Sequence, residues 1–551
     1  MKLPKEFENR MKELLGKEYS AFLESYEHRP YQALRVNTCK LAPEEFQRIS
    51  PFELRPVPWA PGGFYYGEAD RPGKHPWHEA GLYYIQEPSA MAVGALAGAA
   101  PGERILDLCA APGGKTTQLA AAMKGQGLLV SNEIHPARAK ILSSNVERMG
   151  ITNAVVTNET PERLAEHFPG FFDRIVVDAP CSGEGMFRKD EQAVTQWSPE
   201  NVKMCAERQQ SILEHAAEML RPGGVLVYST CTFAPEEDEG SMAAFLLRHP
   251  EFAVKKVEAC ESFAPGHPEW AAEVLADVQK EEDRGKGQGR TVEEAAMQIR
   301  DTFRLWPHLL EGEGHYLAVL EKSGSRAERN EKERAGKKAE RGRTAGNRFG
   351  KDRMGQREKE AIQLYQEFAR ETLAGQPEGI PVLFGDQLFL LPCELNLAGL
   401  KVLRAGLHLG TVKKNRFEPS HALALALRAE DALRVFSYPA DSGGNPRLSP
   451  WRRAAAFGKA GRNTERAERR KSRESAERLG AGTCGWLSSG LGETGRRNAE
   501  KPLSEGTSSF VVRECSAEKG FFSKQCRKRA GKKTRKRPGK QFYGKRNALP
   551  D

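Results

Sequence analysis

No two of the ten cysteines form a C-x-x-C pair, and they are scattered along all 551 residues. That spacing argues against zinc ribbons and against a disulfide framework, so no metal site is expected. No apolar run approaches the ~20 residues that a membrane-spanning helix needs. The opening Met1-Lys2-Leu3-Pro4-Lys5-Glu6 lacks an apolar core followed by a small-residue cleavage site, so no secretory leader is expected. A cytoplasmic chain follows, with reduced thiols available for chemistry.

A basic excess is also missing from the body. Lys and Arg total 84 against 74 Asp and Glu, a balance that ordinarily points to nucleic acid. Residues 443–551 carry 28 basic and 10 acidic side chains, which leaves 56 against 64 for residues 1–442. RNA binding must therefore rest on local patches, not on the isoelectric point.

What is present begins with two cysteines. Cys181 stands in Asp178-Ala179-Pro180-Cys181-Ser182-Gly183 and Cys231 in Ser229-Thr230-Cys231-Thr232. Each follows an apolar strand-like run, Arg174–Val177 and Gly224–Tyr228. In a parallel sheet both thiols emerge at carboxyl ends of strands, where open α/β folds bind ligands. A third such run, Arg104–Leu108, leads into Cys109-Ala110-Ala111-Pro112-Gly113-Gly114-Lys115. This turn is no phosphate loop, because the glycine required five residues before Gly114 is Cys109. It fits the first βα turn of a Rossmann-like sheet, where small residues let backbone approach a cofactor. Glu133, 26 residues after Asp107 at the end of the next strand, is placed to accept hydrogen bonds from ribose hydroxyls. Cys205, on a long helical stretch, reads as core.

The organisation is an α/β chain with modules on both sides. Residues 1–80 read as a small α+β module, with Phe7, Met11, Leu14 and Leu15 at helical spacing and Ala33–Asn37 as a strand. Residues 81–321 alternate strands and helices, which predicts a doubly wound parallel sheet. A helix over about 200–220 should stop at Arg221-Pro222-Gly223-Gly224. Residues 322–360, with 14 basic and 7 acidic side chains, read as a charged linker. Residues 361–442 read as a small, incomplete β-rich module, and 443–551 as a disordered basic tail.

The motif around Cys109–Lys115, the run Asp178 to Lys189, and Ser229–Thr232 resemble the hallmark motifs of the Sun/Nop-type RNA cytosine-5 methyltransferases. The approach segment Gly81–Ser89 matches as well, and the ending Gly185-Met186-Phe187-Arg188-Lys189 resembles the RsmF/YebU branch, which acts on 16S ribosomal RNA. The resemblance covers roughly residues 1–442. It implies a Rossmann-like S-adenosylmethionine-dependent methyltransferase sheet, ribosomal RNA as partner, and a monomer that does not enter membranes. It further implies that Cys231 attacks carbon 6 of cytosine, that Cys181 assists product release, and that Asp178 contacts the base or the cofactor. Residues 109–115 and Glu133 would hold the cofactor, with Lys115 orienting Asp178 or stabilising charge nearby. Many relatives carry an acid after the third strand; here Thr160 falls at its place, so Asn158 or backbone takes that contact.

Two alternatives stay open. DNA cytosine-5 methyltransferases attack with the Pro-Cys thiol, which would exchange the roles of Cys181 and Cys231, although they lack the second cysteine. A ribosome-assembly protein that kept the fold without the activity is the other. Relatives in this branch close with a run such as Asp-Gly-Phe-Pro-Leu-Gly-Trp-Glu-Lys. Codons for Gly485–Glu493, read one nucleotide later, can encode that run. We read residues 443–551 as the product of a single-base shift near Ser442, with the C-terminal module truncated; the gene's nucleotide sequence tests this.

Overall fold

Five parallel strands hold the centre of the molecule because their sequences are short apolar runs, each followed by a turn and a helix. The structure, a computed structural model, describes residues 3–282, 290–324 and 355–434, together with the backbone of a strand pair at 484–488 and 509–513. The N-terminal strands are β1 (Ala33–Val36), β2 (Leu54–Pro56), β3 (Gly63–Tyr66) and β4 (Tyr83–Ile85), in the order β2-β3-β1-β4. β4 lies past residue 80, so this sheet reaches into the approach segment that leads to the centre. The helix Lys5–Leu15 buries Phe7 and Met11 as their spacing predicts.

The central strands are β5 (Arg104–Asp107), β6 (Leu128–Asn132), β7 (Ala154–Thr157), β8 (Phe172–Asp178) and β9 (Leu220–Thr230), parallel in the order β9-β8-β5-β6-β7. Side chains alternate between two cores: Leu106, Val130, Ile175 and Leu226 enter one, Ile105, Leu129, Val176 and Val227 the other. The expected parallel sheet is thus present, with antiparallel additions. β10 (Phe252–Val254), β11 (Ala264–Pro265), β12 (Phe303–Leu305) and β13 (His315–Lys322) extend it beyond β9, and β13 pairs antiparallel with β9 over Tyr316↔Thr230 to Glu321↔Val225.

One sequence expectation needs correction. The helix Pro199–Met219 does end before Pro222, but β9 begins at once at Leu220 and runs through the Arg-Pro-Gly-Gly segment. A register shift against β8 between Phe172 and Arg174 absorbs the irregularity, and Gly223 takes the required positive φ of 68°. Arg221 Nε, bonded to Asp173 Oδ1 at 2.5 Å, anchors the bulge.

The later module contains the helix Gln356–Thr372, which starts inside the expected linker, and the strands β14 (Ile380–Phe384), β15 (Gln387–Leu391), β16 (Val402–Ala405), β17 (Leu407–Lys413) and β18 (Arg416–Pro419). Four form a sheet in the order β14-β15-β17-β18, while β16 crosses over and pairs antiparallel with β7. The charged segment 325–354 lies outside the described residues. So does the basic tail, apart from the strand pair. Among the described residues no helix is long and apolar enough to cross a membrane, and no His/Cys/Asp/Glu cluster is arranged for a metal.

Candidate active site

Strand ends deliver the thiols. Asp178 is the last residue of β8 and Thr230 the last of β9, so the loops that follow carry Cys181 and Cys231 to the same edge of the sheet. Their sulfurs lie 3.3 Å apart, within hydrogen-bond reach, and both thiols are half-buried. Each loop is tied to the other: Gly185 N donates to Cys231 O (2.8 Å), Ala179 N to Ser229 O (2.8 Å), and the hydroxyls of Ser182 and Thr232 meet at 2.7 Å.

Buried carboxylates stiffen both loops. Glu237 accepts from Ser182 N (3.0 Å) and Gln209 Nε2 (2.7 Å). Burial, with Glu184 as a further negative neighbour, pushes its carboxyl up to about 7. Glu184 is fully buried and accepts from Trp197 Nε1 (2.7 Å), Phe233 N (3.0 Å) and Arg10 of the N-terminal helix. Behind Cys231, the buried Arg304 binds Glu239, Asp238 and the carbonyl of Phe233.

The two thiols are not equivalent. Hydrogen bonding to Cys231, then burial and the negative charge that Cys231 can carry, holds the Cys181 thiol well above the ordinary range. Lys115, which opens the helix Gly114–Met123, donates Nζ to Asp178 Oδ2 (2.7 Å), while Ser229 Oγ donates to Asp178 Oδ1 (2.8 Å). Burial raises and the Lys115 charge lowers the Asp178 carboxyl, with a net fall below its usual range. Burial opposes the Lys115 charge, yet Asp178 and Cys231 raise its pKa overall.

The small-residue turn is fixed from behind by its own carbonyls. Arg138 Nη2 donates to Ala111 O (2.9 Å), Asn145 Nδ2 to Pro112 O (2.8 Å), Thr117 N to Gly113 O (2.9 Å) and Arg35 Nη2 to Gly114 O (3.1 Å). Gly113 sits at φ 115°, and a Cβ there would come 3.2 Å from Leu142. Ala110 N bonds Asn132 O at 2.8 Å, and burial pushes the Cys109 thiol up, as befits a packing residue. Asp107, fully buried at the end of β5, accepts from Thr116 Oγ1 (2.5 Å), while its Oδ1 has no hydrogen-bond partner; burial pushes it up to about 7. Glu133 is buried just beyond β6, accepting from His135 N (2.9 Å), with Arg138 3.4 Å away.

Asn158 is brought to the same edge, but its Nδ2 donates to the carbonyls of Glu133 (2.7 Å) and Ile134 (2.9 Å). Thr160 serves as N-cap of the helix Pro161–His167. Between them, Glu159 turns inward and accepts from Lys401 N at 2.6 Å.

Sequence reading missed His315 and Glu87. His315 opens β13 one step beyond the Tyr316↔Thr230 pair, is 6% exposed, and its Nδ1 makes no hydrogen bond but lies 3.8 Å from Glu87 Oε2. Burial, then Lys115, lowers its pKa and favours the neutral imidazole. Glu87 caps the helix Pro88–Ala97, accepting from Ser89 N (3.0 Å) and Ala90 N (2.7 Å). The available signal was Gly312-Glu313-Gly314-His315 running into an apolar strand, a strand start that an antiparallel partner brings beside Cys231.

The model for 16S rRNA methyltransferase RsmB/F matches residues 95–321, that for the N-terminal domain of 16S rRNA methyltransferase RsmF residues 3–88, and that for the RsmF rRNA methyltransferase first C-terminal domain residues 367–427. Ribosomal RNA small subunit methyltransferase F of Aeromonas hydrophila is 38% identical over 301 residues, covering 53% of this chain and 58% of that protein. The protein of the same name from Vibrio vulnificus is 45% identical over 217 residues, 38% of this chain and 46% of the relative. The chain thus spans less than two thirds of these curated relatives. A solved methyltransferase homologue from Pyrococcus horikoshii superposes with a TM-score of 0.48 at 27% identity, covering 58% of this chain and 95% of that one. With three models matched in chain order across both flanks and the centre, the chain is similar to the RsmB/F proteins, and to their RsmF-like branch in particular.

Proposed function

We propose that this chain transfers a methyl group from S-adenosylmethionine to carbon 5 of a cytosine in ribosomal RNA of the small subunit, with Cys231 as nucleophile and Cys181 assisting release. The observation that carries the reading is the pair of thiols 3.3 Å apart beside the Lys115–Asp178 ion pair.

The residues present fit the cofactor. The unpartnered Asp107 Oδ1 suits an ammonium, the turn Cys109–Lys115 offers backbone through a positive φ at Gly113 that a side chain would strain, and the Glu133 carboxylate suits ribose hydroxyls. Asn158 acts through Glu133, whose carbonyl it holds. When bound, S-adenosylmethionine supplies a methyl group activated by its sulfonium.

Carbon 5 of cytosine is a poor nucleophile until a thiolate adds at carbon 6 and gives it enamine character. Cys231 forms that carbon–sulfur bond, with Lys115 nearby to offset its negative charge and Cys181 as hydrogen-bond donor. Asp178, immobilised by Lys115 and Ser229, accepts from the amino edge of the base. Once Cys231 is bonded to carbon, Cys181 is released from it; after giving up its own proton to solvent, the Cys181 thiolate takes the proton of carbon 5. The C5–H electron pair then restores the ring double bond as the C6–S pair returns to Cys231. The second cysteine, Cys231, which the DNA-type enzymes lack, favours this assignment over the exchanged one.

The test is transfer of labelled methyl to small-subunit RNA, with bisulfite sequencing to read the product. Transfer by the wild type that disappears in Cys231→Ala is expected; wild-type protein that modifies no ribosomal RNA, or an unimpaired Cys231→Ala, overturns the reading.

A further inference from the structure

A cleft of about 380 Å³ opens beside the thiol loops, between the N-terminal module and the segment that carries Cys181. We propose that it holds a nucleotide flanking the target cytosine in single-stranded RNA. This rests on the reading of RNA as substrate and extends it to a binding surface.

Position is the first support. Arg188 and Lys189, on the cleft wall, end the same loop that begins at Cys181, and Glu87, also lining it, faces His315 of the thiol pocket at 3.8 Å. A strand whose target base enters the thiol pocket must place its neighbour within one nucleotide of that edge. The volume falls near the lower end of the ~300–1,000 Å³ typical of small-ligand sites, suited to one nucleotide.

Chemistry is the second. Two half-buried tyrosines, Tyr31 and Tyr66, line the cleft with Lys189, the combination of aromatic platform and cation that single-stranded nucleic acid uses. Tyr31 is steadied edge-on by Tyr65, ring centroids 6.2 Å apart.

Rigidity is the third. The Arg188 guanidinium is fixed by Glu313 (2.6 Å), Ser25 O (2.6 Å) and Gly312 O (2.9 Å), and Gln86 by Arg35 (3.0 Å), so the wall is formed before RNA arrives. Arg188 is engaged inside the protein, and Lys189, ion-paired with Glu313 at 3.7 Å and a quarter exposed, is the other cation of the lining, within reach of a strand's backbone.

The experiment measures binding of a fluorescent single-stranded oligonucleotide of ribosomal sequence, with 4-thiouridine beside the target cytosine for crosslinking. Tyr31→Ala and Tyr66→Ala should each weaken binding roughly ten-fold, the scale of one lost stacking contact. Tyr31→Phe and Tyr66→Phe, which keep the ring, should bind as wild type. Lys189→Met should reduce the salt slope by about one charge. Unchanged S-adenosylmethionine affinity in the alanine variants controls for folding. Crosslinks to Tyr31 or Tyr66 support the cleft; crosslinks elsewhere, with alanine variants binding as wild type, overturn it. Weakened binding without any methyl transfer by the wild type would leave the cleft standing and sink the chemistry.

Discussion

The two halves of the site are built in opposite ways. The half proposed to hold the cofactor is local: one strand, one seven-residue turn and one helix, with Glu133 just beyond the neighbouring strand. The thiol half is assembled from β8, β9, the start of β13 and the N-terminal helix, and it is bound together by Glu184, Glu237, Glu239 and Arg304 in its interior. Two sulfurs held in hydrogen-bond reach require buried charge to hold their loops still.

The comparison can be broken most sharply at the thiols themselves. Cys231→Ala should lower methyl transfer on the order of 10³-fold or more, the scale of losing a covalent nucleophile, while leaving S-adenosylmethionine affinity unchanged by calorimetry. Cys181→Ala should instead accumulate a denaturation-resistant protein–RNA adduct on a gel. Next comes the interior of the thiol half: Arg304→Met leaves Asp238 and Glu239 buried without their cation, and denaturant unfolding should show a loss of about 3–5 kcal/mol.

The Lys115–Asp178 pair links the halves, and its pH dependence has a defined sign. Asp178 is depressed below its ordinary 3.8, so its stabilisation is complete above that value and fades as pH falls through the lower folded-state pKa. Lys115 is raised above 10.5, so its contribution holds below that value and is lost as pH rises through the higher one. Carbon-detected NMR titration of the Asp178 carboxyl should show the depression, and Lys115→Met should abolish it. Smallest is the cofactor half, where Glu133→Ala should weaken S-adenosylmethionine binding roughly ten-fold with little change in stability, about the worth of one hydrogen bond to a charged acceptor.

The same division governs what was legible in the sequence. The small-residue turn, the strand ends at Asp178 and Thr230, and the α/β alternation are local signals and could be read directly. Lys115 and Asp178 could both be singled out, with Lys115 read as orienting Asp178, and an ion pair joins them across 63 residues. His315 escaped because an antiparallel strand from late in the chain brings it to the site. Asn158 was placed at the right edge, yet its amide is occupied by the backbone around Glu133, a contact no periodicity encodes. The Arg-Pro-Gly-Gly segment read as a pure terminator, and a bulge anchored by Asp173 let it begin a strand instead.

The crossing of β16 onto β7 has a consequence for solubility. Without Val402–Ala405, β7 would present a row of bare amide and carbonyl groups at the rim of a wide apolar sheet, a template for another chain's strand. The later module seals that rim, with Arg404 and His421 both reaching Glu147 of the neighbouring helix. A chain cut back to the catalytic sheet would keep its thiols and its cofactor turn, yet acquire a sticky margin through which copies could stack.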